Sequence, residues 1–541
     1  MTSVVLRNPI KYVQAAPWLW CWLLAALVAI FQHGPMPMYS TRTLSVAWEM
    51  WIRDSFLVPY LNGIPYSDKP PLLLWLIHLG WAVGGVGDVW PRLLEVALGA
   101  VQLLLVHHLA RRLFPERPAL AHAAPWMLAA FSFAFLFGLQ VMYEVLLADG
   151  VLLAFLCLVP TSKRQSPRLT WFALAVGLGL LSKGPVMFLH VVPPLLLGPW
   201  WNEWARANKT RWYLGGMGAL VAGSSILLAW VLLATSSGGE AYSQKLVVHQ
   251  TAGRVVDAFA HAQPFWWYLP LVPVLLLPFA LWPRMWLSMV TLRRPWDMGV
   301  RFLAAWIVPA FIGFSIVSGK QPYYLLPELG GLALLVTYGL DRAANRFDSP
   351  WLGPWPVALA SAAVGVTLIA LGPLVRSGYV TDHTYTMLVP YSVAFGMLFV
   401  LLAIPLARSR RGQVQGIAVV GLIALVAAHG MFSLTLWPAY DFTPVAKMIA
   451  KAESAGEPIA NLESNDGQYT FLGRLQKPVT QLHGMDEVKR WADTHPNGLI
   501  ITYPRRLSDS DREDAVYIQP FRGIWLAILP VRAFENAQAK Q

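Results

Sequence analysis

Three lysines, an arginine and a few carboxylates in an otherwise apolar chain have the types and the placement to handle an anion at a membrane surface. Lys183 lies in "GLLSKGPV", where apolar residues continue on both sides and only Gly184 and Pro185 interrupt them. An ammonium at the centre of a membrane helix costs ~2.5 kcal/mol or more, so Lys183 must reach an interface, a cavity or an anion. Snorkelling at a helix end is the plainer alternative. Lys320 repeats the pattern in "SGKQPYYLLP", next to Tyr323 and Tyr324, and Lys69 in "YSDKPPLLLWL" sets a cation where an apolar helix begins. Three lysines at three helix boundaries on one side point to a shared anionic ligand. Arg254 and His249, in "VVHQTAGRVVDAF", add donors from a loop.

Lysine meets phosphate as a point charge and arginine as a planar fork. A phosphate leaving group needs such neutralisation as its oxygen takes up charge. The acidic partners are Asp68 beside Lys69, Glu144 in "VMYEVLLADG", and Asp149 five residues on. Glu144 and Asp149 are candidate general bases in a partly buried site and equally candidate counter-ions for the lysines.

The elements that must hold these residues are membrane helices. The chain is 56% hydrophobic and 13% charged, and its net charge of +12 sits largely in short loops, as in a polytopic membrane protein rather than a nucleic-acid binder. The first run, Pro17 to Phe31, follows Arg7 and Lys11 and lacks a cleavage site, so it reads as an anchor with a cytoplasmic amino terminus. The segment Pro71 to Val86 is apolar but short and ends among Gly84, Gly85 and Gly87, and is read as lying along the outer interface. Further spans then fall at 91 to 110, 119 to 139, 145 to 160, 169 to 182, 185 to 200, 213 to 234, 266 to 283, 301 to 318, 322 to 340, 354 to 375, 388 to 406 and 414 to 436. With the first run these make about thirteen helices of near-bilayer length. This parity puts the basic loops, such as Arg206/Lys209/Arg211 and Arg408/Arg410/Arg411, inside. It puts the loops 32–90 and 235–265, the lysine boundaries and the tail outside. The tail, 439–541, changes composition, alternating short apolar runs such as "GLIITY" with helix-like "MDEVKRWAD", and reads as a small α/β domain. Cys21 and Cys157 lie in expected spans and support neither a disulfide framework nor a thiolate metal cluster.

The stretch "STRTLSVAWEMWIRDSFLVPYLNGIPYSDKPPLLLWL" resembles the first outer loop of the polyprenyl-phosphate-sugar glycosyltransferases related to lipid A aminoarabinose transferase and protein O-mannosyltransferases. "WPRLLEVALGAVQLLLVHHLARRLF", "GLGLLSKGPV" and "SGKQPYYLLPELGGLALL" resemble later segments of that family in the same order. The resemblance implies a GT-C fold with outer juxtamembrane helices. It also implies transfer of a sugar from an undecaprenyl-phosphate donor to a lipid A, lipopolysaccharide or other envelope acceptor, on the periplasmic face of a bacterial inner membrane. Carried over residue by residue, Lys69, Arg254, Lys320 and Tyr324, with Lys183, gather the donor phosphate. Asp68 and His249 stand where a metal-holding pair occurs in one branch, which implies one divalent ion; no nucleotide cofactor and no nucleic-acid partner is expected.

The chain departs from the family at one place. An Asp-Glu pair usually precedes the Thr-Arg of the first loop, and here "MYSTR" has Tyr39 and Ser40. Tyrosine, with an unperturbed pKa near 10, is a poor base at neutral pH unless positive charge is close; Arg42 and Lys69 are the nearby sources. Glu144, Asp149, Glu49 and Asp54 are the carboxylates left to serve. Two rival classes stand beside the transferase: a catalytically silent relative that binds lipid-linked sugar or a partner enzyme, and a lipid-phosphate transporter or flippase.

Overall fold

The computed structural model describes residues 16–162, 165–246, 262–292, 296–344, 346, 349–380, 383–409, 413–462 and 465–538. Among them, seven helices are long and apolar enough to cross a membrane: Val89–Leu113, Lys209–Glu240, Met298–Ile316, Pro322–Arg342, Trp355–Arg376, Val389–Arg408 and Val414–Thr435. Pro118–Ala130 and Ser132–Gly138, bent by 64°, make an eighth if taken as one span. Pro17–Ile30, Leu72–Gly84, Leu169–Lys183 and Val186–Leu196 are apolar but shorter, as is Tyr143–Leu158. The chain is a multi-pass membrane protein.

Helices stand at nearly every position the sequence marks as a span. The stretch 266–283 is the exception, broken into Leu271–Leu275 and a 3-10 turn at Phe279–Leu281. Pro270, Pro273 and Pro278 lie in it, and each withholds an N–H and crowds the preceding turn. Small residues let other helices close up. A Cβ on Gly150 would lie 3.0 Å from the Gly179 Cα, so Tyr143–Leu158 and Leu169–Lys183 meet backbone to backbone, as small residues permit in membranes.

At one end of the bundle lie shorter elements. Ser40–Ile52 packs on Leu72–Gly84, where His78 Nε2 meets the Ala47 carbonyl at 2.8 Å. Leu72–Gly84, at 13 residues, is ~20 Å long, short of a ~30 Å hydrocarbon core. Strands β1 (Tyr60–Leu61) and β2 (Ile64–Pro65) form a hairpin whose turn, Asn62 (φ 50°) and Gly63 (φ 79°), is the Asn-Gly pair that left-handed hairpin turns require. Glu49 fixes it, accepting the N–H of Asn62 at 2.5 Å and of Gly63 at 2.8 Å.

The tail forms a five-stranded sheet from β3 (Ile459–Leu462), β4 (Thr480–Leu482), β5 (Leu499–Thr502), β6 (Tyr517–Phe521) and β7 (Ile524–Pro530), in the order β4-β3-β5-β7-β6. β3 runs parallel to β4 and β5, while β7 is antiparallel to β5 and β6. The sheet domain docks on the Ser40–Ile52 helix and the hairpin. Trp48 Nε1 donates to the Leu475 carbonyl at 2.8 Å, and Ser45 Oγ donates to the Gly467 carbonyl at 2.6 Å. Asn62 exchanges bonds with the Val479 backbone, both at 2.9 Å.

Candidate active site

The domain-bearing end of the bundle gathers most of the residues singled out from the sequence. Leu169–Lys183 ends where Gly184 takes φ 76°, a left-handed conformation that a side chain would strain. Lys183 is thereby left at the helix terminus. Glu144 opens the Tyr143–Leu158 helix, and Lys183 Nζ lies 2.7 Å from Glu144 Oε1, the two side chains only 10% and 4% exposed. The 3-10 turn Pro322–Leu325 brings two tyrosines against this pair. Lys183 Nζ sits 4.6 Å from the ring centre of Tyr324 and 5.9 Å from that of Tyr323, within the reach of cation–π attraction.

Tyr39 completes the wall, its ring edge-on to Tyr323 at 6.2 Å and to Phe137 at 6.0 Å. Ser40 does not replace the absent carboxylate as a free group. Its hydroxyl donates to Gln140 Oε1 and accepts from the Val141 N–H, each at 3.0 Å, and so ties the first loop to the segment leading into Glu144. The segment of Lys69 adjoins this centre, because Pro70 is the neighbour a Cβ on Gly184 would meet, at 3.9 Å. Lys69 Nζ donates to the Asp68 carbonyl at 3.3 Å, and Asp68, Tyr66 and Arg42 lie within electrostatic range of Tyr143.

Other expected residues are placed differently. Lys320 Nζ is 2.8 Å from the Gln263 carbonyl and 2.5 Å from that of Val317, capping the end of Met298–Ile316, where a cation suits the helix dipole. Burial lowers its pKa below the ordinary lysine value. Lys320 thus closes a helix end, where the sequence reading has it facing phosphate. Arg42 pairs with Asp466 of the sheet domain at 3.0 Å. Asp149 is buried with no partner for either oxygen among the described residues, ~7.5 Å along the helix from Glu144 at 1.5 Å per residue. Arg254 and His249 lie outside the described residues. Asp68 is then the one expected metal ligand described, and no group of three or more His, Cys, Asp or Glu suited to a metal occurs among the described residues.

The structure also brings in residues the sequence reading passed over. Glu95, fully buried, accepts the Met142 N–H at 3.2 Å and interacts electrostatically with Glu144 and Asp149. His190 Nδ1 and Glu328 Oε1 meet at 2.7 Å in the bundle interior. That pair joins the helix after Lys183 to the helix after Tyr324. The signal was present, since both glutamates interrupt apolar runs, and an ionisable residue within a membrane helix is a functional flag by default.

Residues 68–230 match the dolichyl-phosphate-mannose-protein mannosyltransferase family. The undecaprenyl phosphate-alpha-4-amino-4-deoxy-L-arabinose arabinosyl transferase of Pseudomonas aeruginosa strain UCBPP-PA14 is 31% identical over 64% of this chain and 62% of its own length. The corresponding transferase 1 of Pseudomonas fluorescens Pf-5 is 28% identical over 86% of this chain and 84% of its own. The matches to P. aeruginosa and P. paraeruginosa relatives thus span about three-fifths of those proteins. ArnT of Cupriavidus metallidurans bound to undecaprenyl phosphate superposes with a TM-score of 0.71 at 18% identity, covering 96% of this chain and 98% of that one. The apo state of the same protein gives 0.68. The chain shares that fold, the GT-C architecture expected from its sequence.

Proposed function

We propose that this chain is a membrane glycosyltransferase of the polyprenyl-phosphate-dependent kind it resembles. It moves a sugar from an undecaprenyl-phosphate donor to a lipid A, lipopolysaccharide or other envelope acceptor at the periplasmic face of a bacterial inner membrane. The observation that carries the reading is the buried Lys183–Glu144 pair under Tyr323 and Tyr324, beside the segment of Lys69. The named activities of the relatives and the shared fold support it.

In this reading the acceptor oxygen forms a bond to the anomeric carbon as the bond from that carbon to the phosphate oxygen breaks. The electron pair leaves with the polyprenyl phosphate, whose charge Lys69 and Lys183 neutralise in a site poor in water. Glu144 orients the acceptor and takes its proton if the acceptor is a hydroxyl; an ionised phosphate acceptor has little proton to give. Lys183 changes partner from Glu144 to phosphate as donor enters, which frees Glu144 when a base is wanted. No step runs through a metal.

Tyr39 and the engaged Ser40 favour a second reading, a silent relative that binds lipid-linked sugar without turning it over. Membranes carrying the wild type or Lys69→Ala, given labelled undecaprenyl-phosphate sugars and total envelope lipids and glycans, decide between them. Transfer that the wild type performs and the variant loses supports the enzyme. Donor binding without transfer for every sugar tried selects the silent relative.

A further inference from the structure

Tyr39 stands where the first loop enters the Ser40–Ile52 helix, and its backbone is fixed from both sides. Thr41 Oγ1 accepts the Met38 N–H at 2.9 Å, and Ser40 is tied to Gln140 and Val141 ahead of Glu144. The ring therefore has a set direction. Its plane is perpendicular to that of Tyr323, at 90°, and to that of Phe137, at 89°, while Tyr323 and Phe137 are tilted by only 35° with their centres 6.0 Å apart. Tyr323 and Phe137 make one wall of an aromatic corner, and Tyr39 makes the other.

Tyr39, Phe137 and Tyr323 are each half-buried. The hydroxyls of Tyr39 and Tyr323 have no hydrogen-bond partner among the described residues, and neither is among the unpaired atoms sealed from solvent. Each is thus a donor and an acceptor within reach of a ligand. Tyrosines with wet hydroxyls also line the surfaces of membranes, but there the rings lie among lipid. Here the Tyr323 ring centre is 5.9 Å from the nearly buried Lys183 Nζ and 5.2 Å from that of Tyr324, so the corner adjoins the candidate reacting centre. A sugar presents C–H groups on the face of its ring and hydroxyls around its rim. The negative face of an aromatic ring attracts such C–H groups, and small-molecule sites are largely apolar and aromatic with a few placed polar groups. In a sugar-linked phosphate the anomeric carbon is one oxygen away from phosphorus. A phosphate held by Lys183 therefore leaves its sugar beside Tyr323, in the corner that Tyr39 closes.

We propose that Tyr39 is a specificity-determining residue for the donor's sugar: its ring packs on a C–H face of that sugar and its hydroxyl bonds a sugar hydroxyl. The assignment rests on the transferase reading of the neighbouring site. Its test is binding to the full-length, detergent-solubilised chain, with bare undecaprenyl phosphate and undecaprenyl phosphate carrying glucose, mannose or 4-amino-4-deoxy-L-arabinose as probes. The readout is the preference for a sugar-bearing lipid over the bare one. Tyr39→Leu should leave the bare lipid's affinity unchanged and lower that preference about tenfold, with Tyr39→Phe, which keeps the ring, between Tyr39→Leu and wild type. A wild type with no preference for any sugar-bearing lipid overturns the proposal, and so does a preference that survives Tyr39→Leu. Equal weakening of bare and sugar-bearing lipids in a folded Tyr39→Leu protein would make the ring a membrane-surface anchor, which also overturns it. If Tyr39→Leu does not fold, Tyr39→Phe decides: a reduced preference with unchanged bare-lipid binding supports the hydroxyl's contact, and an unchanged preference overturns it. Wild-type transfer from a donor bound no better than the bare lipid sinks this inference and leaves the transferase reading. A preference that depends on Tyr39 without transfer to any acceptor sinks the transferase reading and leaves the sugar contact.

Discussion

Glu144 and Asp149 lie five residues apart on one helix, and among the described residues only Glu144 has a cation within reach. Breaking a buried ion pair by removing one partner costs about 3–5 kcal/mol, because the other charge stays behind. Glu144→Gln is therefore expected to lower transfer by at least tenfold and to lower stability, with Lys183→Met restoring stability but not transfer. Asp149→Asn breaks no pair among the described residues and should keep most of both; transfer assays with thermal unfolding check the set, and full transfer by Glu144→Gln removes Glu144 from the mechanism. His33, in the loop after the first helix, gives a pH signature. Burial first and Arg92 second push its pKa below the ordinary 6.5, against the Gly34 hydrogen bond. Between the folded value and 6.5 the unfolded chain holds a proton that the folded chain lacks, so stability falls as pH drops below about 6.5. Asp88 and His429 face the same ring or its Arg92 partner and remain in the variant. His33→Leu should flatten that acid limb in unfolding scans, and an unchanged slope would mean His33 does not contribute to it.

At the scale of elements, the lysine boundaries were legible because an ammonium in an apolar run has few places to go, and Lys183 found one of them. Lys320 shows what a sequence leaves open: a lysine ending a helix answers carbonyls as readily as phosphate, and here its ammonium meets those of Gln263 and Val317. Ser40 was read as a lost carboxylate, whereas its hydroxyl couples two segments a hundred residues apart, a pairing that no local pattern records. The span 266–283 failed as a helix because hydropathy ignores prolines. His190 and Glu328 were missed because each is single in its segment and only the fold pairs them. Their tie is more buried than the Lys183–Tyr324 contact and joins the helices that follow Lys183 and Tyr324, so it should hold those helices together while Lys183 changes partner. Glu328→Gln and His190→Gln, alone and together, are expected to show a coupling of roughly 1–3 kcal/mol in unfolding. The single variants should lower kcat more than they raise donor KM. Strictly additive effects would show the two residues act independently.

For the whole molecule, the sheet domain is part of the candidate site's frame rather than an appendage, although composition alone marks it only as a separate α/β unit. Ser40–Ile52 has the domain on one flank and Tyr39 at its start, so any slack in docking reaches the reacting centre. Ser45 is the centre of that contact: its hydroxyl donates to the Gly467 carbonyl at 2.6 Å and accepts from the Phe471 N–H at 3.0 Å, both buried. Ser45→Ala leaves two backbone groups without their partner, a loss of about 1–3 kcal/mol for each buried group left unsatisfied. Arg42→Ala removes a half-exposed pair with Asp466, which is worth about 0–1 kcal/mol. Ser45→Ala should therefore loosen the domain far more than Arg42→Ala does, seen as faster proteolysis within 439–541 and faster amide exchange in Ser40–Ile52. Transfer should fall in step with that loosening for Ser45→Ala. For Arg42→Ala, any loss of transfer that outruns the change in proteolysis belongs to charge at the site and not to docking. A Ser45→Ala protein with a freely cleaved domain and undiminished transfer would show that the bundle works without the sheet holding its first loop in place.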